Sequence, residues 1–506
     1  MKTKMKIKRN VTILNIVSSI ILEIITLING FIVPKLILDF FGSEVNGLTS
    51  SITQFLGYVY LIEGGITGVI MSNLYKPLHE KDNKKISSIV KTSQKFYRRI
   101  SVFLIVYTVI LSFAYPLLVN SSFSFGYIAS LICIMSTGLL IQYAFSITYK
   151  TLLNADKRVY IVSIAQTIVL VFNIIFSFIS LLIFPNIHIL KIISGLVFVI
   201  QPIVYSMAVK KRYDIDKAAP VDKELLKNRW SGFAINLASF IHFNTDIVIL
   251  NIFTNLTTVS IYSVYNLIVS GLRQIVSAVS SAIYPSIGHI YVKGDKKELD
   301  EKFDLYELVN FVIVYFLFTV AILMATPFVE LYTINVTDAN YSLPILGYIM
   351  LISEMIYLIK MPHINLAYSA KKFKEMTKPS IIEVVINIVI SVVLVKMFGV
   401  VGVAIGTLVA MAYRTIYQIY FLKKNIIFRN TKIFAKKIIL FTIGFIAILS
   451  ICNILLPYSG INIFSWIIYA LLYSVISSII YIFIVIVFYK KDLEKIIRKE
   501  KKNVEN

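Results

Sequence analysis

The sequence predicts an all-α polytopic membrane protein: about fourteen transmembrane helices, arranged as two six-helix lobes in parallel pseudo-repeat plus two C-terminal helices. Three observations lead there. The 506 residues are 58% hydrophobic and only 15% charged, with a mean hydropathy of +0.80. A soluble domain is about 45–50% apolar and roughly 25% charged, so the polar surface of a soluble protein cannot be drawn from this composition. The same apolar excess rules out disorder. The second observation is the placement of the basic residues, and the third is an internal repeat.

A helix needs about 20 mainly apolar residues to cross a bilayer. The first such run, 11–33, follows five basic residues within Met1–Asn10. Glu23 inside the run, and no small-x-small cleavage site after it, make it a retained span rather than a signal peptide. Runs at 45–69, 100–119, 126–149, 159–184 and 189–209 complete a first set of six. A loop carrying Lys210-Lys211-Arg212 and Pro220 separates these from 231–253, 257–284, 307–331, 342–366, 379–399 and 400–421. The last two are joined by a tight turn, for which Gly399 and Gly402 are suited. Runs at 438–457 and 464–489 follow, and the basic tail from Lys490 reads as a solvated anchor. The expected organisation is an N-terminal lobe over 1–212, a cytoplasmic linker over 213–230, a C-terminal lobe over 231–424, and two extra helices with the tail over 425–506.

Lys and Arg concentrate in cytoplasmic loops, which tests this count. Of the 50, only Lys35, Lys191 and Lys396 fall on the expected outer side, and only Arg273, Lys360 and Arg414 within spans. The rest lie in segments that a cytoplasmic N-terminus places inside. One missed or invented span would invert every later loop and destroy the pattern. The net charge of +23 thus reports orientation in a plasma membrane, both termini cytoplasmic, rather than nucleic-acid binding. The outer loops are short and hold no domain. Cys133 and Cys452 sit in apolar runs and form no metal or disulfide pattern.

The repeat has an offset of 213–214 residues. Lys157-Arg158 aligns with Lys371-Lys372, Asn173-Ile174 with Asn387-Ile388, and Ser177 with Ser391. Asp82-Asn83-Lys84-Lys85 aligns with Asp295-Lys296-Lys297, and the Lys-Lys pairs at 210 and 423 also coincide. A shared offset across three pairs of spans marks a duplicated unit of six. Six is even, so both copies enter from the same side, as in the parallel-repeat transporters.

A charge at the bilayer centre costs about 2.5–3.5 kcal/mol on insertion scales, so it faces protein or water and marks a candidate site. Glu23, Asp246, Arg273 and Glu354 lie nearest mid-membrane; Glu63, Lys360, Glu383 and Arg414 lie closer to the inside. Each is either a cavity-lining group that meets substrate or coupling ion, or one arm of a structural ion pair or a snorkelling side chain. His242 and Asp246, four apart on one helix, form either a proton relay or a buried polar pair. Arg273, Lys360 and Arg414 are the candidates for an anionic substrate, and Glu23, Asp246, Glu354 and His242 those for ion coupling. No Walker loop, paired-Cys metal site or nucleophile elbow is present, so neither cofactor nor metal is expected, and no enzymatic chemistry.

Several stretches resemble the bacterial polysaccharide flippases of the multidrug/oligosaccharidyl-lipid/polysaccharide exporter superfamily. They are Leu38–Leu48, then Leu61-Ile62-Glu63-Gly64-Gly65-Ile66 with Tyr75-Lys76-Pro77-Leu78, and finally Ser263-Val264-Tyr265 with Ser277–Gly288. The resemblance implies two six-helix lobes in a V around a cavity. Its cargo would be a polyprenyl-pyrophosphate-linked oligosaccharide repeat unit, moved from inner to outer leaflet for surface polysaccharide, with H+ or Na+ coupling. It also implies possible polysaccharide polymerase or assembly proteins as partners. Arg273, by position, matches the cationic cavity residues that handle pyrophosphate in that family. Two alternatives stand beside this reading. A multidrug antiporter of the same superfamily would want an acidic or apolar cavity, which Arg273 argues against. A membrane polymerase or glycosyltransferase would want large outer loops.

Overall fold

The computed structural model describes residues 2–63, 65–216, 218–222, 244–427 and 429–505. Every regular element among them is helical. Unit 1 runs from Met1 to Ser260 and unit 2 from Ile261 to Asn506.

Unit 1 opens with α1 (Lys2–Gly57), followed by α2 (Val59–Glu63), α3 (Ile66–Glu80) and α4 (Asn83–Leu118). Its apolar stretch Val11–Glu63 is 53 residues long. At ~1.5 Å per residue that is more than twice the bilayer's ~30 Å, so it holds the first two expected spans. The one non-helical residue inside α1 is Gly42 (φ 80°, ψ −176°), a conformation open to glycine. The expected loop over 34–44 is thus helix on both sides of one residue, with Lys35 paired to Asp39 one turn on. The next span joins α5 (Phe125–Ile141) to α6 (Ile147–Ala155) through a π-helical turn, Gln142–Ser146. It is followed by α7 (Val159–Ile183), α8 (Ile187–Val197), α9 (Ile200–Lys210) and α10 (Asn244–Phe253). Residues 217 and 223–230 of the expected linker lie outside the described residues. α10 is the described part of the seventh span.

The helix α11 (Leu256–Lys293) begins in unit 1 and continues into unit 2. There it is followed by α12 (Lys296–Tyr332), α13 (Pro344–Ile359), α14 (Met361–Ser369), α15 (Phe373–Phe398) and α16 (Val400–Asn425). The two extra spans are α17 (Thr431–Leu455) and α18 (Ile463–Glu505). Lys191 and Lys396, expected in outer loops, stand within α8 and the last turn of α15.

The duplication is written in the backbone. Asp82 caps α4 by accepting from the Lys85 amide, and Asp295 caps α12 by accepting from the Glu298 amide, 213 residues later. The residues before these caps, Lys81 and Gly294, both have left-handed φ, 56° and 82°. So do Lys157 and Lys371, at 60° and 56°, which start the turns into α7 and α15. The helices α6 and α14 match end for end at an offset of 214. At the same offset, the π-turn closing at Ser146 corresponds to the break at Lys360. Asn173 accepts from Ser177 and from Ser194 across the α7–α8 contact, while Asn387 donates to Thr407 at 2.8 Å across the α15–α16 contact.

Packing follows from small residues and apolar stripes. Stripes such as Val102, Ile105, Val109 and Phe113 on α4, and Ile467, Leu471, Val475 and Ile482 on α18, are exposed, a surface stable only in hydrocarbon. The opposite face of α18 is buried at Tyr473, Ser477, Tyr481 and Ile484. It meets unit 2 through a Tyr315–Phe441–Tyr481 ring cluster and the Thr319–Tyr481 hydroxyl contact at 2.6 Å. The α15–α16 hairpin turns on Gly399 alone and closes on Gly402 and Gly406. A Cβ on Gly406 would run into the Ser391 hydroxyl and stand 2.8 Å from its amide nitrogen, a backbone atom that cannot yield. Gly406→Val is therefore expected to lower stability by about 3 kcal/mol as the helices are wedged apart. Loss of the monodisperse peak in detergent size-exclusion would register it, and Gly30→Ala, where nothing lies within 4 Å, is the control.

Candidate functional site

The charges inside unit 2 gather into one chain. Arg273, midway along α11, meets Glu354 on α13 in a two-pronged pair: Nε to Oε1 and Nη2 to Oε2, both 2.7 Å. The Glu354 side chain is 5% exposed and that of Arg273 25%. This is the geometry in which Arg binds a carboxylate or a phosphate.

Six residues further, the span breaks. Pro362 has no N–H, so the carbonyl of Leu358 loses its helical donor, and Asn310 on α12 supplies one at 3.0 Å. The Ile356 carbonyl is likewise met by the Thr415 hydroxyl at 3.2 Å. Lys360 is the residue at the break, both the C-cap of α13 and the N-cap of α14. Its ammonium is buried, 3.7 Å from Glu383 Oε1 on α15, 3.5 Å from the Met411 sulfur on α16, and 4.7 Å from the centre of the Tyr357 ring. Glu383 also faces Arg414, whose Nε lies 3.6 Å from Oε2. Arg273, Glu354, Lys360 and Arg414, chosen individually from the sequence for opposite roles, are thus one arrangement completed by Glu383. It holds three basic side chains and two carboxylates.

A second cluster sits where α17 joins unit 2. Lys437, fully buried, donates to Glu307 at 2.6 Å and to Asp304 at 2.7 Å. Arg429 pairs with Glu307 at 3.1 Å and with Asp304. His363 places Nε2 3.3 Å from Glu307 and is held edge-on between Phe303 and Phe434. Glu307, His363, Lys423, Arg429 and Asn430 line a small cleft. Sequence reading missed this cluster. The available signal was an acid at the inner edge of one span, Glu307, with bases at the inner edge of another.

In unit 1, Glu63 ends α2, accepts from Tyr143 on the π-turn at 2.9 Å, and also accepts from Thr67. Asp246 is buried on α10 and Glu23 exposed on α1. His242 lies outside the described residues, and with it the relay to Asp246. Among the described residues no group of three or more His, Cys, Asp or Glu is placed to hold a metal ion.

Solved structures of other membrane proteins share this helix order. One solved structure that shares it is the lipid II flippase MurJ in an inward closed conformation, with TM-score 0.71 and 16% identity over 95% of this chain and 99% of that one. An inward-facing multidrug resistance MATE transporter of the MOP superfamily aligns with TM-score 0.59 and 14% identity, over 80% of this chain and 96% of that one. A Vibrio cholerae MATE transporter gives 0.57 and 15%, over 83% and 97%. No protein-family model and no curated protein matches the chain.

Proposed function

We propose that this protein is an alternating-access flippase of the bacterial plasma membrane, with both termini cytoplasmic. It would carry polyprenyl-pyrophosphate-linked oligosaccharide repeat units from the inner to the outer leaflet. The observation that carries this reading is the excess of basic over acidic side chains, three to two, in the Arg273–Glu354–Lys360–Glu383–Arg414 chain, headed by a two-pronged arginine. A fork fits two phosphoryl oxygens as it fits two carboxylate oxygens, so an arriving pyrophosphate exchanges with Glu354. A binding site for cationic drugs calls for the opposite sign. The MurJ likeness, which spans nearly all of this chain, supports a lipid-linked cargo, and the MATE likenesses supply the multidrug antiporter as the competing reading.

The test uses the native host with the gene deleted or carrying Arg273→Lys, which keeps the charge but loses the fork. In the deletion, lipid-linked repeat units should accumulate, stay protected from an impermeant enzyme added outside intact cells, and surface polymer should disappear. Arg273→Lys should cut transport about tenfold or more, the worth of one bidentate pair. Unchanged lipid pools and polymer, with new drug sensitivity in the deletion, would overturn the reading in favour of drug export.

A further inference from the structure

We infer that Lys360 is a proton-binding site of unit 2, its amine neutral when the site is empty and protonated when an anion is bound. The inference rests on the function proposed above for its role in transport, and on geometry alone for the state of the amine.

The first support is charge balance. Arg273 is matched by Glu354, while Arg414 and Lys360 share Glu383, at 3.6 and 3.7 Å. Three basic groups against two carboxylates leave one positive charge over if all are protonated. An uncompensated charge in a protein interior is costly enough that the group gives up its proton instead, and lysine, unlike arginine, does so readily. The second support is the company Lys360 keeps. Its contacts are a thioether sulfur at 3.5 Å, an aromatic face at 4.7 Å and a carboxylate oxygen at 3.7 Å, beyond hydrogen-bond reach. These are soft partners for an ammonium with three donors to satisfy. The third is position: the residue sits at the break between α13 and α14, where a change of charge acts directly on a bend in the span. Half-helices meeting at an ion site are a recurrent device in transporters.

The titratable and charged groups around it are accounted for on each packed element. They are Arg273 on α11, Glu354 and Tyr357 on α13, His363 and Tyr368 on α14, Glu383 on α15 and Arg414 on α16. On α12, Glu307 faces His363 and Lys437 instead. Protonation of the neutral amine adds one positive charge and breaks no bond. That charge is compensated when a phosphoryl group arrives, so anion binding raises proton affinity and the proton raises anion affinity by the same factor.

The experiment is ¹⁵N NMR of the full chain in lipid nanodiscs, with [¹⁵Nζ]lysine. A lysine resonance that vanishes in Lys360→Met should lie at the neutral-amine position near neutral pH. In Arg414→Gln the same resonance should move to the ammonium position, because Glu383 is then left to Lys360. An ammonium position in the parent protein overturns the inference, and so does a resonance unmoved in a folded Arg414→Gln. In proteoliposomes carrying a fluorescent polyprenyl-pyrophosphate sugar, Lys360→Met should lose the response of flipping to a pH gradient. An unchanged response overturns the proton role while the flippase reading stands. A neutral amine in a protein that flips no such lipid leaves the proton site standing and removes the flippase reading.

Discussion

Arg273→Ala is expected to destabilise the protein by about 3 kcal/mol, read as a fall in the thermal midpoint in detergent. The cost is chiefly that of Glu354, 5% exposed and bound at both oxygens, which would stay buried without its counter-charge. Glu354→Ala should cost somewhat less, because the Arg273 side chain is the less buried of the two, 25% exposed against 5%. The informative variant carries both changes. With neither charge present the buried penalty disappears, so Arg273→Ala/Glu354→Ala should recover most of the stability lost by Arg273→Ala alone. Transport should remain abolished, because the fork is gone. Recovery of stability together with activity would mean that the pair only holds α11 to α13.

The second large effect belongs to Lys437. Its ammonium and the Glu307 carboxylate are both fully buried, 2.6 Å apart. Lys437→Met should cost about 3–5 kcal/mol, the usual penalty for stripping a buried pair of one partner. Lys437→Met/Glu307→Leu should restore a good part of it, since Arg429 and Asp304 still pair. The loss should be confined to the seating of α17 and α18 on α12, which crosslinking cysteines placed on α12 and α17 would report. Uniform loosening of the whole molecule would contradict that assignment.

The fold was largely legible in the sequence because its determinants are compositional and periodic. Hydropathy gave the runs, and the pairs at Asp82/Asp295 and Asn173/Asn387 gave the duplication. Breaks were legible only where chemistry announces them. Pro362 leads to the discontinuity at Lys360, but its counterpart at Gln142–Ser146 is a one-residue π insertion with no composition of its own. Between the runs 11–33 and 45–69 the sequence leaves a gap that holds Pro34 and Lys35. In the structure a single glycine suffices. Among candidate site residues, the sequence flagged each charge but not its partner, since pairing depends on which helices touch. Glu354 and Arg273 were given opposite roles for that reason. Lys437 and Arg429 were absorbed into the positive-inside count, where a basic residue at a span edge needs no other explanation.

The one-residue turn at Gly399 also bears on how the chain is made. With so short a connection and glycines on the facing surface, α15 and α16 form a closed hairpin as soon as both have been synthesised. Glu383 stands on one arm and Arg414 on the other. Entering the lipid one at a time, each arm would carry an unpaired charge, at a cost below the roughly 2.5–3.5 kcal/mol of one at the bilayer centre. Leaving the translocon together, they deliver acid and base already side by side. A longer connection would forfeit that advantage by letting the first arm partition alone, so the tightness of this turn matters to biosynthesis before it matters to the finished protein.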